Sequence, residues 1–270
     1  MRSITNDSLK LNNHNIRYIA FRTPAGHKTQ HSVTVMCNLM TTLRNILTIL
    51  TIGMTFQLFG QGVGKDTTFI FKDTVDGEVQ SIFIDNNKDS KFYDRISHFK
   101  FQHFDKDSYK YSTDYFKEQK LTLNKAKPVL PWTNWVTLKL YKGQFYAYHP
   151  CDFLFHFRQS VNDTTFVDWT GEGPVANKIL EQKKIDSKTY EFKLTGIYEQ
   201  DRKIIIHIID FKKGIAVFEQ ITNGTDKRYY LMIAADKISS VPIIVNYCPT
   251  QKQTELQFDE TDFKTLLTTK

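Results

Sequence analysis

The chain has 270 residues and a formal net charge of +7. Residues 1–39 carry five basic side chains against one acidic one, and Arg44 adds another basic one, so residues 62–270 are close to neutral at +2. An electrostatic footprint for nucleic acid or an anionic membrane needs a clustered basic face. The high isoelectric point of about 9.1 therefore gives no argument for either, and we predict no nucleic-acid partner.

The first element along the chain is the apolar segment Leu43–Gln61, which has the layout of a secretory signal peptide. Arg44 supplies the positive start, Ile46–Phe59 form an apolar-to-neutral core of 14 residues, and small residues from Gly60 onward offer a cleavage site. A membrane-spanning helix needs about 20 mainly apolar residues. The sequence therefore favours a signal peptide over residues 40–61, and the alternatives are an uncleaved anchor and a buried helix.

Residues 1–39 precede this segment and show no sustained strand or helix period. Our hypothesis is that translation starts at Met36 or Met40 and that residues 1–39 are a non-native or disordered leader. Cleavage then releases an exported protein, periplasmic, secreted or associated with the cell surface, that keeps no stable membrane span. Its roughly 209 residues suffice for one domain that buries about 70% of its unfolded surface.

Two cysteines, Cys151 and Cys248, lie in the exported part of the chain. An oxidising compartment favours one disulfide between them, which would contribute up to about 4.7 kcal/mol in the chain-entropy model. The alternative is two unpaired buried thiols. Cys151 also lies beside His149 and Asp152, the groups that activate a cysteine nucleophile, but adjacency in sequence is not the spatial arrangement that catalysis requires.

Residues 62–127 are predicted to form a β-rich segment that packs on the main domain. Asp76-Gly77 is a tight-turn dipeptide that favours a hairpin. Phe99 and Phe101 alternate with polar residues, which predicts a strand with one apolar face. No long amphipathic helix is predicted before the C-terminus. The elements are strands at Phe69–Lys72, Val79–Asp85 and Ser97–Phe104 and a short helix at Asp114–Gln119.

Residues 128–248 are predicted to form the main domain, set off by Pro128 and Pro131, which deny ladder hydrogen bonds. Nearly all connections between its strands are too short for a parallel crossover, so we predict an antiparallel meander. Residues 249–270 form a polar tail with a short helix at Glu260–Thr268. The strands are Trp135–Tyr141, Gln144–Tyr148, Phe153–Gln159, Thr165–Trp169, Thr189–Tyr198, Lys203–Phe211, Ile215–Ile221, Arg228–Ala234 and Ile243–Tyr247.

The fold class that follows is all-β and mainly antiparallel. A meander without covering helices buries its apolar faces and hides its edges by closing into a barrel or by folding into a two-layer sandwich. The pattern is similar to that of lipocalin-like barrels, including the late short helix and a cysteine near the end of the chain. The Gly-x-Trp motif that such proteins carry near their first strand is not found.

Aromatic side chains and polar residues with apolar neighbours are the candidate ligand-binding residues. His207 lies within the isoleucine-rich run Ile204–Ile209, and His156 and Arg158 alternate with phenylalanines. A small apolar or aromatic ligand in a barrel would be lined by aromatic rings. The candidates are Tyr146, Tyr148, His156, Arg158, Tyr190 and His207, with Phe155, Phe157 and Phe192 as further lining residues.

Three classes of function remain open. The first is a non-enzymatic exported β-domain that binds a small apolar or aromatic ligand, and the second is a surface interaction module for a protein or glycan. The third is a hydrolase that uses His156 or His207 with a carboxylate. Because the chain has no nucleophilic serine elbow, no glycine-rich phosphate loop and no Cys or His pair at metal spacing, we assign no catalytic residue, metal or cofactor.

Overall fold

The computed structural model describes residues 66–250 and 254–268. The predicted leader and signal peptide lie outside these residues. The strands are β1 Thr67–Val75, β2 Glu78–Asp85, β3 Asn134–Tyr141, β4 Gln144–His149, β5 Arg158–Val161, β6 Thr165–Thr170, β7 Gly173–Lys184, β8 Thr189–Gly196, β9 Arg202–Asp210, β10 Ile215–Thr222, β11 Asp226–Ala234 and β12 Ile243–Tyr247. The helices are α1 Lys91–Ser97, α2 His103–Glu118 and α3 Phe263–Thr268, with 3-10 turns at Phe153–Phe155 and Ala235–Ser240.

Eight of these strands form a closed barrel. Their order is β3-β11-β10-β9-β8-β7-β6-β5, and β5 pairs back to β3 with Trp135 opposite Gln159. Every neighbouring pair within the barrel is antiparallel. The predicted mainly antiparallel β fold with a short C-terminal helix is confirmed, and this closure selects the barrel over the sandwich.

The remaining four strands extend the sheet beyond β3 in the order β4, β12, β2, β1. Within this extension β12 pairs with β4 in parallel, with Ile243 opposite Ala147 and Val245 opposite His149. The prediction of an antiparallel meander is wrong at this pair. The short-turn argument applies only to strands that are adjacent in sequence, and the seven barrel strands β5–β11 lie between β4 and β12.

The apolar core has two main parts, one on each side of the barrel wall. The interior is filled by large side chains that are at most 1% exposed, including Trp135, Phe166, Phe192 and Phe218. Alternation along each strand sends the other set of apolar residues outward, where they pack against α1 and the second 3-10 turn. Burial of each such side chain contributes about 1.5–3 kcal/mol, so the barrel wall is stabilised from both faces.

The hairpin predicted at Asp76-Gly77 is confirmed, and two further hairpins have turns with a similar backbone. Asp76-Gly77, Lys142-Gly143 and Asn223-Gly224 each have positive φ at both residues. This is the backbone of a type I′ turn, whose twist matches that of the flanking strands. Two residues connect β1 to β2 and β3 to β4, and three residues, 223–225, connect β10 to β11. Glycine at the second position accepts this conformation without a Cβ clash, so these turns set the register of β1–β2, β3–β4 and β10–β11.

The predicted strand Ser97–Phe104 is wrong, since these residues end α1, form a loop and begin α2. Phe99 and Phe101 do lie on one side, because both rings contact Trp169 at centroid distances of 5.5 and 5.0 Å. Their backbone nevertheless leads into a helix, at whose start the Gln102 N–H donates to the Asp105 carboxylate at 2.9 Å. The expectation of no long helix before the C-terminus is therefore also wrong.

Two further strand predictions need correction. Phe153–Phe155 form a 3-10 turn, so only the end of the predicted strand Phe153–Gln159 belongs to β5. The sequence did not predict β7, a strand of 12 residues that begins at Gly173. Its start contains Pro174 and its end is rich in lysine and glutamate, which hides the two-residue period. Pro174 is tolerated because it lies at the very start of the strand.

Candidate functional site

One end of the barrel holds a cavity of about 690 Å³. The turns β6–β7, β8–β9 and β10–β11 and the chain before β5 all meet at this end, and α2 forms a further wall. The apolar interior cluster fills the barrel below. We call this space the mouth cavity.

The floor of the mouth cavity is an ion pair between Arg202 on β9 and Asp168 on β6. The guanidinium is forked onto the carboxylate, with Nη2 donating to Oδ1 at 3.0 Å and Nη1 donating to Oδ2 at 2.5 Å. Arg202 Nη2 also donates to the Gln220 side chain at 2.9 Å. Only 4% of the Arg202 side chain is exposed, so this charge is held almost wholly within the protein.

Further polar groups surround the Asp168–Arg202 ion pair. The Asp168 carboxylate also accepts hydrogen bonds from the side-chain amides of Gln159 and Asn177, each at 2.9 Å. A second carboxylate, that of Glu199, lies 3.2 Å from Arg202 Nε. Burial acts to lower the pKa of Arg202, but Asp168 and then Glu199 outweigh it and raise this pKa. The guanidinium therefore stays charged, and two carboxylates face one cation.

Aromatic and aliphatic side chains form the walls and rim. The rings of Phe157 and Tyr230 pack together with centroids 5.3 Å apart. Tyr111, Leu154 and Tyr198 are 63%, 55% and 74% exposed at the opening. Large apolar side chains left in water around a concave opening indicate a surface on which another molecule can bury them.

Helix α2 is fixed against the start of β7 by hydrogen bonds. The Ala176 backbone N–H donates to Ser112 Oγ at 2.9 Å, and Ser108 Oγ donates to the Glu172 carbonyl at 3.3 Å. Gly173 makes this approach possible, because a Cβ at that position would lie 2.5 Å from Ser108 Oγ. Its φ of +109° also favours glycine. The helical wall of the cavity is thus held in a defined position.

The charges around the mouth cavity are mainly negative. Its lining contains the basic residues Arg202 and Arg228. The carboxylates that line it are those of Asp107, Asp168, Glu172 and Glu199. Four acidic groups against two basic ones give the cavity a formal charge of −2.

The structure does not bring the six predicted ligand-binding residues into one site. Tyr190 is packed in the filled part of the barrel, 3% exposed. Tyr146 and Tyr148 belong to the four-strand extension, where they pack with Ile82 and Ile244. Of the further lining residues, Phe157 reaches the mouth cavity, Phe192 is buried in the interior and Phe155 is 57% exposed.

The predicted histidines lie in two other places. His207 is on the outer face of the barrel, where its Nε2 is 3.5 Å from the Glu219 carboxylate. Lys227 Nζ is 2.8 Å from the same carboxylate, so Glu219 is shared. Neither His207 nor Glu219 lines the mouth cavity. His156 lies near the C-terminal end of β4, close to Cys151. Its ring is next to that of His149, with the ring centroids 5.8 Å apart.

Asp168 and Arg202 are the residues that sequence reasoning missed. Their signal is the two-residue period itself. Arg202 is in phase with Ile204, Ile206 and Ile208, all of which face the interior, and Asp168 is in phase with Phe166. Alternation therefore directs one basic and one acidic side chain into the barrel from separate strands. It cannot show that the two side chains are in contact.

The disulfide joins Cys151 and Cys248, whose Cα atoms are 5.8 Å apart. Cys151 follows β4 and Cys248 follows β12, and the parallel pairing of these strands brings both cysteines to the same edge of the sheet. The predicted pairing is therefore present in the structure. The adjacent His149 and Asp152 do not activate a thiol, because the sulfur is bonded to Cys248.

The two histidines near the disulfide predict how stability depends on pH. Burial, then His156 and Arg95, lowers the pKa of His149 to about 4, and burial also lowers the pKa of His156. Below pH 6.5 the unfolded chain binds protons that the folded protein does not, so the free energy of unfolding should fall by roughly 1–3 kcal/mol as the pH drops from 6.5 to about 4. Urea unfolding at pH 7, 6 and 5 measures this.

The variant His149→Phe isolates the effect of this histidine, because carboxylates also titrate at the acidic end of the range. We expect its unfolding free energy to decrease less between pH 7 and pH 5 than that of the unmodified protein. His103→Gln is the matched control, since the His103 side chain is 99% exposed. Equal pH slopes in all three proteins would contradict the prediction.

Within residues 66–250 and 254–268, no three or more His, Cys, Asp or Glu side chains are placed so that they could hold a metal ion. Among the helices of the described ranges, none has the length and apolar character needed to cross a bilayer. The chain matches no protein-family model, no curated protein and no solved structure.

Proposed function

We propose that the protein is an exported binding protein that holds a small molecule in the mouth cavity. The observation that carries this is a cavity of about 690 Å³ at the open end of the barrel, within the range of about 300–1,000 Å³ typical of small-molecule sites. Aromatic walls with a few converging polar groups are also typical of such sites. The disulfide supports export, since disulfides persist in oxidising compartments.

The lining indicates the chemistry of the ligand. Tyr111, Phe157, Tyr198 and Tyr230 offer ring surfaces to an apolar or aromatic body. The formal charge of −2 and the shared position of Asp168 and Glu199 around one guanidinium favour a positively charged group over a carboxylate. Aromatic faces also attract cations. The ligand class that fits is a small molecule with an aromatic or apolar body and an amine.

A matched pair of probes tests this chemistry. Tryptamine and indole-3-propionate share an aromatic body and differ in the sign of the terminal charge. We expect tryptamine to bind at least about fivefold more tightly, and Tyr198→Ala to weaken its binding about fivefold, through loss of a ring contact of roughly 1 kcal/mol. Isothermal titration calorimetry measures both affinities.

Tyr247→Ala is the control, because Tyr247 is also an exposed tyrosine, 42% exposed, but lies on β12 away from the cavity. Its affinity for tryptamine should equal that of the unmodified protein. Equal binding of the amine and the acid would contradict the cation preference. Absence of saturable binding by either probe and by neutral indole would contradict the binding function itself.

A second candidate function is that of an interaction module for another protein. The open edge of strand β1 favours it. Among the described strands β1 pairs only with β2, so its outer edge is open. Phe69 and Phe71 on β1 are 40% and 37% exposed. An open edge with apolar side chains can accept a strand of another protein.

A further inference from the structure

A second concave site lies on the outside of the barrel, below the loop between α1 and α2. It is a groove of about 420 Å³ whose lining includes Arg158 on β5, Trp169 on β6, and Arg95 and Lys100 from the helical segment. None of these residues lines the mouth cavity. We call it the outer groove.

Arg158 is the unusual residue of the outer groove. Its guanidinium carbon lies 5.0 Å from the centre of the Phe99 ring and 5.1 Å from that of Trp169. Nη1 donates to the His98 carbonyl, and Nε is shielded from water and has no hydrogen-bond partner within the described residues. The guanidinium is thus positioned firmly while part of its donor capacity is unused.

The charge of Arg158 also lacks a close counter-charge. Arg202 has carboxylate oxygens of Asp168 and Glu199 at 2.5 and 3.2 Å, whereas no carboxylate of the described ranges lies within 4.0 Å of Arg158. Burial lowers the pKa of Arg158 to about 10, and Asp105 offsets this only in part. Partial burial of a cation without a partner is costly, and an anion in the groove would remove that cost.

The remaining charges of the groove are arranged to suit an anion. Arg95 and Lys100 add two exposed basic groups, and Asp94 and Asp105 add two acidic ones. Asp105 already accepts the Gln102 N–H at 2.9 Å, which occupies part of its carboxylate. His98 also lines the groove. The lining therefore carries a formal charge of +1 with His98 neutral.

We propose that the outer groove binds a small oxyanion, a carboxylate or a phosphate, with Arg158 as its principal ligand and Lys100 and Arg95 at its rim. A guanidinium presents paired N–H donors that match the oxygen spacing of both groups. The rings of Phe99 and Trp169 hold that guanidinium in place before the anion arrives. This site is separate from the mouth cavity and has the opposite charge preference.

Trp169 provides the assay, because its indole contacts the guanidinium that the anion would bind. The full chain is titrated with inorganic phosphate and with succinate at constant ionic strength, and sodium chloride serves as the control. We expect saturable quenching of tryptophan fluorescence by phosphate, succinate or both at concentrations below about 10 mM. Trp169→Phe should abolish the quenching, while calorimetry still detects the binding.

Arg158→Met keeps the length of the side chain and removes the charge, and it should weaken anion binding at least about tenfold. Arg228→Met is the matched control, since Arg228 lines the mouth cavity instead. If Arg158→Met does not fold, Lys100→Met at the exposed rim replaces it, with about a threefold loss expected.

Unchanged affinity in Arg158→Met, or in Lys100→Met where that variant replaces it, would overturn the proposal. A response that rises linearly with salt and is equal for chloride would also overturn it. Saturation by only one of the two anions supports the proposal and identifies which geometry the groove prefers. The two sites are tested independently, because Arg158→Met should leave tryptamine binding unchanged and Tyr198→Ala should leave anion binding unchanged.

Discussion

Replacement of Asp168 by asparagine is expected to lower the free energy of unfolding by about 3–5 kcal/mol, the cost of breaking a buried ion pair by removing one of its members. The carboxylate accepts four hydrogen bonds, two from Arg202 and one each from Gln159 and Asn177. An asparagine offers one acceptor oxygen in place of two and turns an N–H group toward other donors. Urea unfolding followed by circular dichroism measures the change.

Asp226→Asn is the matched control. Asp226 also pairs with an arginine, Arg228, at 3.2 Å, but the two side chains are 56% and 61% exposed. Surface ion pairs contribute about 0–1 kcal/mol, so this variant should be nearly as stable as the unmodified protein. Losses of similar size in the two variants would contradict a special role for burial at Asp168.

The double variant Asp168→Asn, Arg202→Met tests whether the two charges act as a pair. Each single change breaks the pair and leaves its other member in the floor of the mouth cavity, whereas the double change removes both members. We therefore expect the double variant to lose about 1–3 kcal/mol less than the sum of the single losses. Additive losses would indicate that Glu199, 3.2 Å from Arg202 Nε, carries the pairing instead.

The sequence predicts best those parts of the fold that depend on neighbouring residues. Asn223-Gly224 defines a hairpin because only a few residue types accept positive φ at both positions. Strand β12 is likewise predicted with its observed bounds, Ile243–Tyr247, since it is a short apolar run between polar segments. Local backbone preferences and burial agree at such places.

Helix α2 shows where local pattern fails. Only Ser112 and Phe116 among its 16 residues are buried, so the helix has almost no apolar stripe to indicate its period. It is held instead by contacts with residues far away in sequence, such as the hydrogen bond from the Ala176 N–H to Ser112 Oγ. Tertiary contacts of this kind override the local signal.

The candidate site was predictable only in part, because it too depends on contacts between residues that are distant in sequence. Tyr146 and Tyr148 are aromatic residues of a regular strand and look like barrel lining, but β4 lies in the extension outside the barrel. Which strands close the barrel is decided by the pairing of β3 with β5. Alternation orients a side chain relative to its own strand, and only the closure tells which face becomes the interior.

Removal of the disulfide is the second change with a large expected effect. The link closes a loop with a sequence separation of 97 residues, for which the chain-entropy model gives about 4.7 kcal/mol as an upper figure. The variant Cys151→Ala, Cys248→Ala should therefore lose about 3–4 kcal/mol, and its urea midpoint should fall by about 1–2 M. Equilibrium urea unfolding of both proteins gives the comparison.

The reduced form of the unmodified protein is the internal control for this variant. It should match the double variant in its urea midpoint, and reductant should leave the double variant unchanged. The loss should appear first in β12, because its parallel pairing with β4 spans only Ile243–Val245 and joins segments that the disulfide holds together. Relative to the unmodified protein, the double variant should show a larger increase in backbone hydrogen-exchange rate in β12 than in β10. An equal increase in both strands would mean that the disulfide stabilises the barrel as a whole.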